Sequence, residues 1–214
     1  PSFKLHLKTK QINYNTFKEN INLLLSTNKH MKFIWAPHTS IYQLWEANET
    51  KNKQTSFFQK VKVYVWDGII INSFLHGYLL YFASFNKKLI PVINKLITHL
   101  LVPKKGELVY SSYWIYFLPH LLKQDTIEFA IPVKHTFNFF EDLQQLIEKK
   151  PFYVQTPIEI RFVKKDSFWL SPAYEKDVCY IGTKTHFLPL IKNKKYKYYF
   201  QEFNNLVEKY EGKP

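Results

Sequence analysis

Residues 151–165, PFYVQTPIEIRFVKK, alternate between apolar and polar side chains with a period of two. A stretch with that period settles as a strand with one buried face. Val154, Thr156, Ile158, Ile160 and Phe162 fall on one side, and Gln155, Pro157, Glu159 and Arg161 on the other. Such a strand cannot stand alone, because its backbone N–H and C=O groups need partners, so the rest of the chain must supply a sheet.

The same stretch holds the single arginine among 30 lysine and arginine residues. Richness in Lys, Asn, Ile, Phe and Tyr suggests a gene drawn toward AT-rich codons, in which Lys replaces Arg wherever a bare positive charge is enough. Arg161 therefore marks a position where a planar, permanently charged, bidentate fork is needed. Glu159, two residues earlier, points to the same side. The plain alternative is a surface ion pair on a solvated strand face, which contributes little.

Other segments supply the sheet and its cover. FKLHLK at 3–8 alternates as a strand, and the runs 31–36 and 41–47, split by Pro-His-Thr-Ser, predict a hairpin. Residues 126–132 and 177–183 read as further strands, and 48–60 as a polar surface loop. Helical spacing of apolar residues predicts helices over 16–26, 66–85, 88–101, 134–149 and 196–210, with Gly212 as the stop of the last. Without regular strand-helix alternation, the fold class is α+β, a mostly antiparallel sheet flanked by helices.

A chain of 214 residues with 46% hydrophobic and 18% aromatic content is globular, not disordered. The lone Cys179 excludes a disulfide framework and a cysteine-rich zinc site, and reads as a small packed group. The eight histidines are scattered without metal-ligand spacing, so no metal site is assigned; only His38, in its Pro-His-Thr turn, is kept as a candidate. Five glycines form no phosphate-binding fingerprint, and no serine sits in a nucleophile elbow. A net charge of +13 suggests nucleic acid or an anionic membrane, but the lysines are spread along the chain, with a short run only at Lys192, Lys194, Lys195 and Lys197. The apolar run 69–85 is interrupted by Asn72, Ser73, His76 and Gly77, which favours a buried helix over a membrane span and leaves surface attachment open.

Six segments in order, PSFKLHL, FIWAPHTS with EANET, IEFAIPVKHTFNFFEDL, PIEIRFVKKDSFWLSPAY, DVCYI and YFQEFNNLVEKYEGKP, together resemble the C-terminal domain of the sugar-lactone oxidases. This is the gulonolactone, arabinonolactone and galactonolactone oxidase group of the vanillyl-alcohol-oxidase type of flavoproteins. The resemblance runs from Pro1 to Pro214 and is loose over 56–124.

The resemblance implies that residues 1–214 are a substrate-binding cap domain, cut at both ends from a longer protein whose FAD-binding domain lies elsewhere. It implies FAD as cofactor, an aldono-1,4-lactone as substrate on the way to ascorbate or an analogue, oxygen or a cytochrome as electron acceptor, and an organelle membrane, such as the mitochondrial one, as location. The family's Glu-x-Arg pair maps onto Glu159, which would position a substrate hydroxyl, and Arg161, which would stabilise the anionic reduced flavin or a substrate oxyanion. Thr183, at the end of the following strand, is a weaker substrate-contact candidate beside its ordinary reading as a strand-end hydroxyl. Two readings from other classes compete: a basic, aromatic-rich nucleic-acid-binding module, and a non-catalytic membrane-surface domain.

Overall fold

Seven strands join by antiparallel pairing into one sheet, in a computed structural model that describes residues 3–101, 105–115, 119, 121–186 and 195–213. They are β1 (Lys4–Gln11), β2 (His30–Trp35), β3 (Tyr42–Glu49), β4 (Lys105–Ser111), β5 (Gln124–Pro132), β6 (Ile158–Val163) and β7 (Val178–His186), in the spatial order β4-β1-β3-β2-β6-β7-β5. The predicted hairpin forms between β2 and β3, with Trp35 opposite Tyr42 and His38 in the left-handed region at φ 64.

Pairing register fixes which side chains share a face. Met31, Phe33 and Trp35 of β2 align with Ile158 and Ile160 of β6 and with Cys179 and Ile181 of β7, and all are buried. Helices α1 (Tyr14–Glu19), α2 (Ile21–Thr27), α6 (Thr136–Lys149) and α7 (Lys195–Lys209) cover that face. Phe17 of α1 stacks on Phe33 at 3.8 Å between centroids, while Phe140 of α6 meets Trp35 edge-on at 5.5 Å. Each such side chain contributes about 1.5–3 kcal/mol by leaving water, so this layer carries the fold. Cys179 lies within it, and burial pushes its thiol up to about 12, as suits a packing group.

Several elements depart from expectation. Residues 16–26 form two helices, because both the backbone N–H and the side-chain amide of Asn20 bond the Thr16 carbonyl and close α1 there. Strand β6 begins at Ile158, since Pro157 has no N–H for a ladder; Val154 and Thr156 are buried all the same, Thr156 by donating to the Lys184 carbonyl. The edge strand β4 and the short helix α3 (Phe57–Val61) were not anticipated. At the end of α7 it is Glu211 that turns left-handed, at φ 59, while Gly212 is needed for space: a Cβ there would lie 2.3 Å from a Val207 methyl.

Helix α3, a π-helical stretch Lys62–Leu75 and α4 (His76–Phe85) run on as one rod, Phe57–Phe85, that packs on α5 (Ile90–Leu101). The rod is half buried rather than buried. Ile71, Leu80 and Ala83 meet Ile90, Ile93 and Ile97 of α5, whereas Phe74 (66% exposed), Tyr78 (63%) and Phe85 (75%) face outward. The helix pair is tied to the sheet by buried Asn94, whose amide donates to the carbonyls of Pro37 at 3.1 Å and Val154 at 2.8 Å. Replacing Asn94 with Ala leaves both carbonyls without that donor. It is expected to lower unfolding stability by about 1–3 kcal/mol, read as a reduced urea midpoint at unchanged slope.

Candidate functional site

The face of the sheet opposite the helices α1, α2, α6 and α7 carries charge at its centre. Lys32 of β2 pairs in register with Arg161 of β6, Glu159 lies opposite Gly182 of β7, and Gly182 lies opposite Glu128 of β5. Register partners share a face, so these residues with Lys184 make one polar strip across four strands. Apolar side chains flank it: Leu5, Leu7 and Ala47 toward β4, and Ala130, Ala173 and Val178 toward β5.

Glu159 and Arg161 project to the same side, as the alternation predicts, but each is paired with a different partner. The Glu159 carboxylate receives the Lys32 ammonium at 2.9 Å and the Lys184 ammonium at 3.5 Å. Lys32 also lies 5.1 Å from the Trp45 ring centre, which fixes the ammonium from the other side. Burial pushes the Glu159 carboxyl up, yet the charges of Lys32, Lys184 and Arg161 outweigh it and hold the group below its ordinary 4.5. Glu159 is therefore an ionised acceptor at neutral pH and a weak base, suited to receiving a hydrogen bond from a ligand hydroxyl.

Arg161 is half-exposed on the open side, with Nη2 bonded to Glu128 Oε1. This guanidinium is the group on the strip suited to negative charge developing on a bound molecule. Two cavities among the described residues lie away from the strip. One of about 360 Å³ opens between the long helix and the end of β4, lined by Tyr64, Tyr110, Tyr113 and Trp114, and a smaller one of about 60 Å³ sits by Pro37, His76 and Asn94.

Thr183 is not brought to the strip. It shares the parity of Cys179 and Ile181, is 0% exposed in the helix-side core, and its hydroxyl lies 3.0 Å from that of Tyr199. A buried hydroxyl on the far face of the sheet has no path to a ligand on this one, so its substrate role is withdrawn. His38 sits in the β2–β3 turn beyond the paired end of β2, its ring 6.4 Å from that of Tyr153, and burial lowers its pKa. Lys192 and Lys194 lie outside the described residues. The sequence reading missed Lys32, Lys184 and Glu128. A faint signal existed for two of them, since Lys32 in MKFIW and Glu128 in TIEFAI interrupt apolar runs at the polar parity.

A depressed folded-state pKa means that Glu159 adds stability above its unfolded value and loses it as pH falls through the folded one. In Lys32→Met the nearer ammonium is gone and burial weighs more, so the folded pKa rises. Glu159 then adds less stability at neutral pH, and the fall in urea midpoint as pH drops below the unfolded carboxylate range is expected to be shallower than in the parent, as read across a pH series.

A family model described as D-arabinono-1,4-lactone oxidase matches residues 1–214. The L-gulonolactone oxidase of Scyliorhinus torazame is 28% identical over 215 residues, covering 100% of this chain and 48% of the relative. That of Mus musculus is 26% identical over 204 residues, covering 94% and 45%. The L-gulono-1,4-lactone dehydrogenase of Mycobacterium tuberculosis (strain ATCC 25618 / H37Rv) is 21% identical over 217 residues, covering 100% and 48%. The chain thus spans about half the length of these relatives. Among solved structures, a solvent-stable cholesterol oxidase shares the fold at a TM-score of 0.66 and 15% identity, covering 98% of this chain and 46% of that one. With its whole described sheet and its Glu-x-Arg strand inside the matched span, the chain belongs to the D-arabinono-1,4-lactone oxidase family.

Proposed function

We propose that residues 1–214 are the substrate-binding half of an FAD-dependent enzyme that oxidises an aldono-1,4-lactone toward ascorbate or an analogue. The observation that carries this reading is the polar strip: a largely buried, ionised carboxylate and a half-exposed guanidinium on one sheet face, in a chain that spans about half the length of its relatives. The apolar margins of this face are already buried within the chain, and what it leaves for the FAD-holding domain to cover is the charged centre, where Arg161 is half-exposed.

The donor set fits that cofactor. Arg161 would offer bound FAD a permanent positive charge, while Lys32 and Lys184 stay engaged with Glu159. Bound FAD supplies the hydride acceptor. Glu159, held by Lys32 and Lys184, accepts a hydrogen bond from a lactone hydroxyl and fixes the angle of the ring. Because its pKa is lowered, its part is orientation rather than proton removal. Arg161 would hold the negative charge on the substrate oxygen once its hydroxyl proton has left to solvent. The relatives include both oxidases and a dehydrogenase, so oxygen is one acceptor and a separate redox partner the other that this reading keeps.

The partner surface we assign is a membrane, engaged by the outer side of the helix pair. Trp66, Ile70, Phe74, Tyr78 and Phe82 recur every four residues along the rod, and Val92, Leu96 and Leu100 continue the patch on α5; all are exposed. Between residues 51 and 105 the sole acidic residue, Asp67, stands against nine lysines, a balance that suits anionic lipid. The opposite side of the rod is committed to α5, so the helix lies along the bilayer surface instead of crossing it.

In the full-length enzyme, Arg161→Lys is expected to slow flavin reduction by about 10²-fold, the scale of losing one preorganised charge donor, in stopped-flow measurements with lactone. Glu159→Gln should impair turnover with FAD still bound, and loss of FAD from a folded protein would contradict that division of labour. The full-length protein should co-sediment with vesicles of phosphatidylcholine and phosphatidylglycerol, three to one. The triple change Phe74→Ser, Tyr78→Ser, Phe82→Ser should weaken this at least about tenfold. Absence of sedimentation by the parent would refute the membrane assignment.

A further inference from the structure

The ion pair that holds Arg161 spans an unusual distance within the sheet. Arg161 belongs to β6 and Glu128 to β5, and β7 runs between them. Neighbouring strands lie about 4.8 Å apart, so the two side chains bridge roughly 10 Å and must pass over whatever the middle strand places there. It places Tyr180 opposite Arg161 and Gly182 opposite Glu128, so the pair runs diagonally, and the crossing is open on the Gly182 side, with Glu159 beyond it. A Cβ on Gly182 would lie 3.2 Å from Glu128 Oε1 and 3.7 Å from Glu128 Cβ and Cγ, so the glutamate lies across the bare backbone. No described glycine has a positive φ, so Gly182 answers to space and not to backbone conformation.

We infer that Glu128 is a positioning residue that aims the Arg161 guanidinium through a gap in the sheet surface left by Gly182. This deepens the reading of Arg161 proposed above and rests on it. The alternative holder, Glu159, is nearer along the chain but is engaged by Lys32 and Lys184. The strip is thereby sorted into two units, a carboxylate held by two ammonium groups and a guanidinium held by one carboxylate. Neither active group uses the other as its anchor, and each stays free to meet a ligand. A half-exposed arginine without an anchor would spread over many rotamers, and its charge would be misaligned for most of them. Glu128 also lowers the net positive charge beside Arg161, so aim is what it adds.

Full-length Glu128→Gln, Glu128→Asp, Arg161→Lys and the double variant Glu128→Gln, Arg161→Lys form the test, with stopped-flow flavin reduction and FAD content as readouts. Glu128→Gln is expected to slow reduction at least about tenfold with FAD content unchanged, and the double variant to be no slower than Arg161→Lys alone, the mark of two residues acting as one unit. Glu128→Asp keeps the charge but is one methylene too short to cross β7, so it should behave like Gln. A slowed Arg161→Lys with an unaffected Glu128→Gln, or with additive losses in the double variant, overturns the positioning role. Full activity in Glu128→Asp overturns the crossing geometry that the role requires. An unaffected Arg161→Lys instead removes the underlying reading of Arg161 and this inference with it.

Discussion

Everything on the polar face depends on the burial of the other one. Ile158 and Ile160 of β6 lie under α6 in the same layer as Phe33, Trp35, Cys179 and Ile181, and that dry contact sets the register of β6 against β2 and β7. A slip of one residue would turn Glu159 and Arg161 into the core and put the isoleucines in water, at a penalty no surface interaction could offset. The chemistry of the strip is thus fixed by hydrophobic packing on the reverse side of the same backbone.

Once the register is set, electrostatics decides how the charges are shared. Glu159 is largely withdrawn from water, and a lone carboxylate there would take up a proton. Two lysines from different strands keep it ionised, and one of them is itself braced against Trp45. The arrangement needs β2, β6 and β7 together, so it exists only in the folded sheet. Stability and site chemistry are coupled here: the contacts that lower the Glu159 pKa also stabilise the native state in neutral solution.

Much of this was legible in the chain. The alternations around Leu5, Phe33 and Ile160 gave strands, the spacing of Phe139, Leu143 and Ile147 gave a helix, and parity placed Glu159 with Arg161. Their partners were not legible, because Lys32, Lys184 and Glu128 come from three other strands, and which residues meet depends on a register that no single strand encodes. Thr183 is different, since its shared parity with Cys179 and Ile181 already marked it as a core residue. The exposed side of the long helix was hidden for another reason: an apolar run says that a helix wants cover, not whether the chain supplies it. Strand β4, at the edge of the sheet, has only a weak alternation and was lost among its polar neighbours.

The strip also explains why one arginine stands where every other basic residue is lysine. Lys32 and Lys184 act on Glu159 as point charges, which an ammonium on a flexible stem can supply. Arg161 meets a carboxylate from two strands away through Nη2, and its rigid, planar group stays half-exposed beyond that contact. A lysine has a single ammonium centre; engaged by Glu128, it would offer no second edge in a fixed direction. Within one small surface the chain uses lysine where charge alone serves and arginine where shape is required as well.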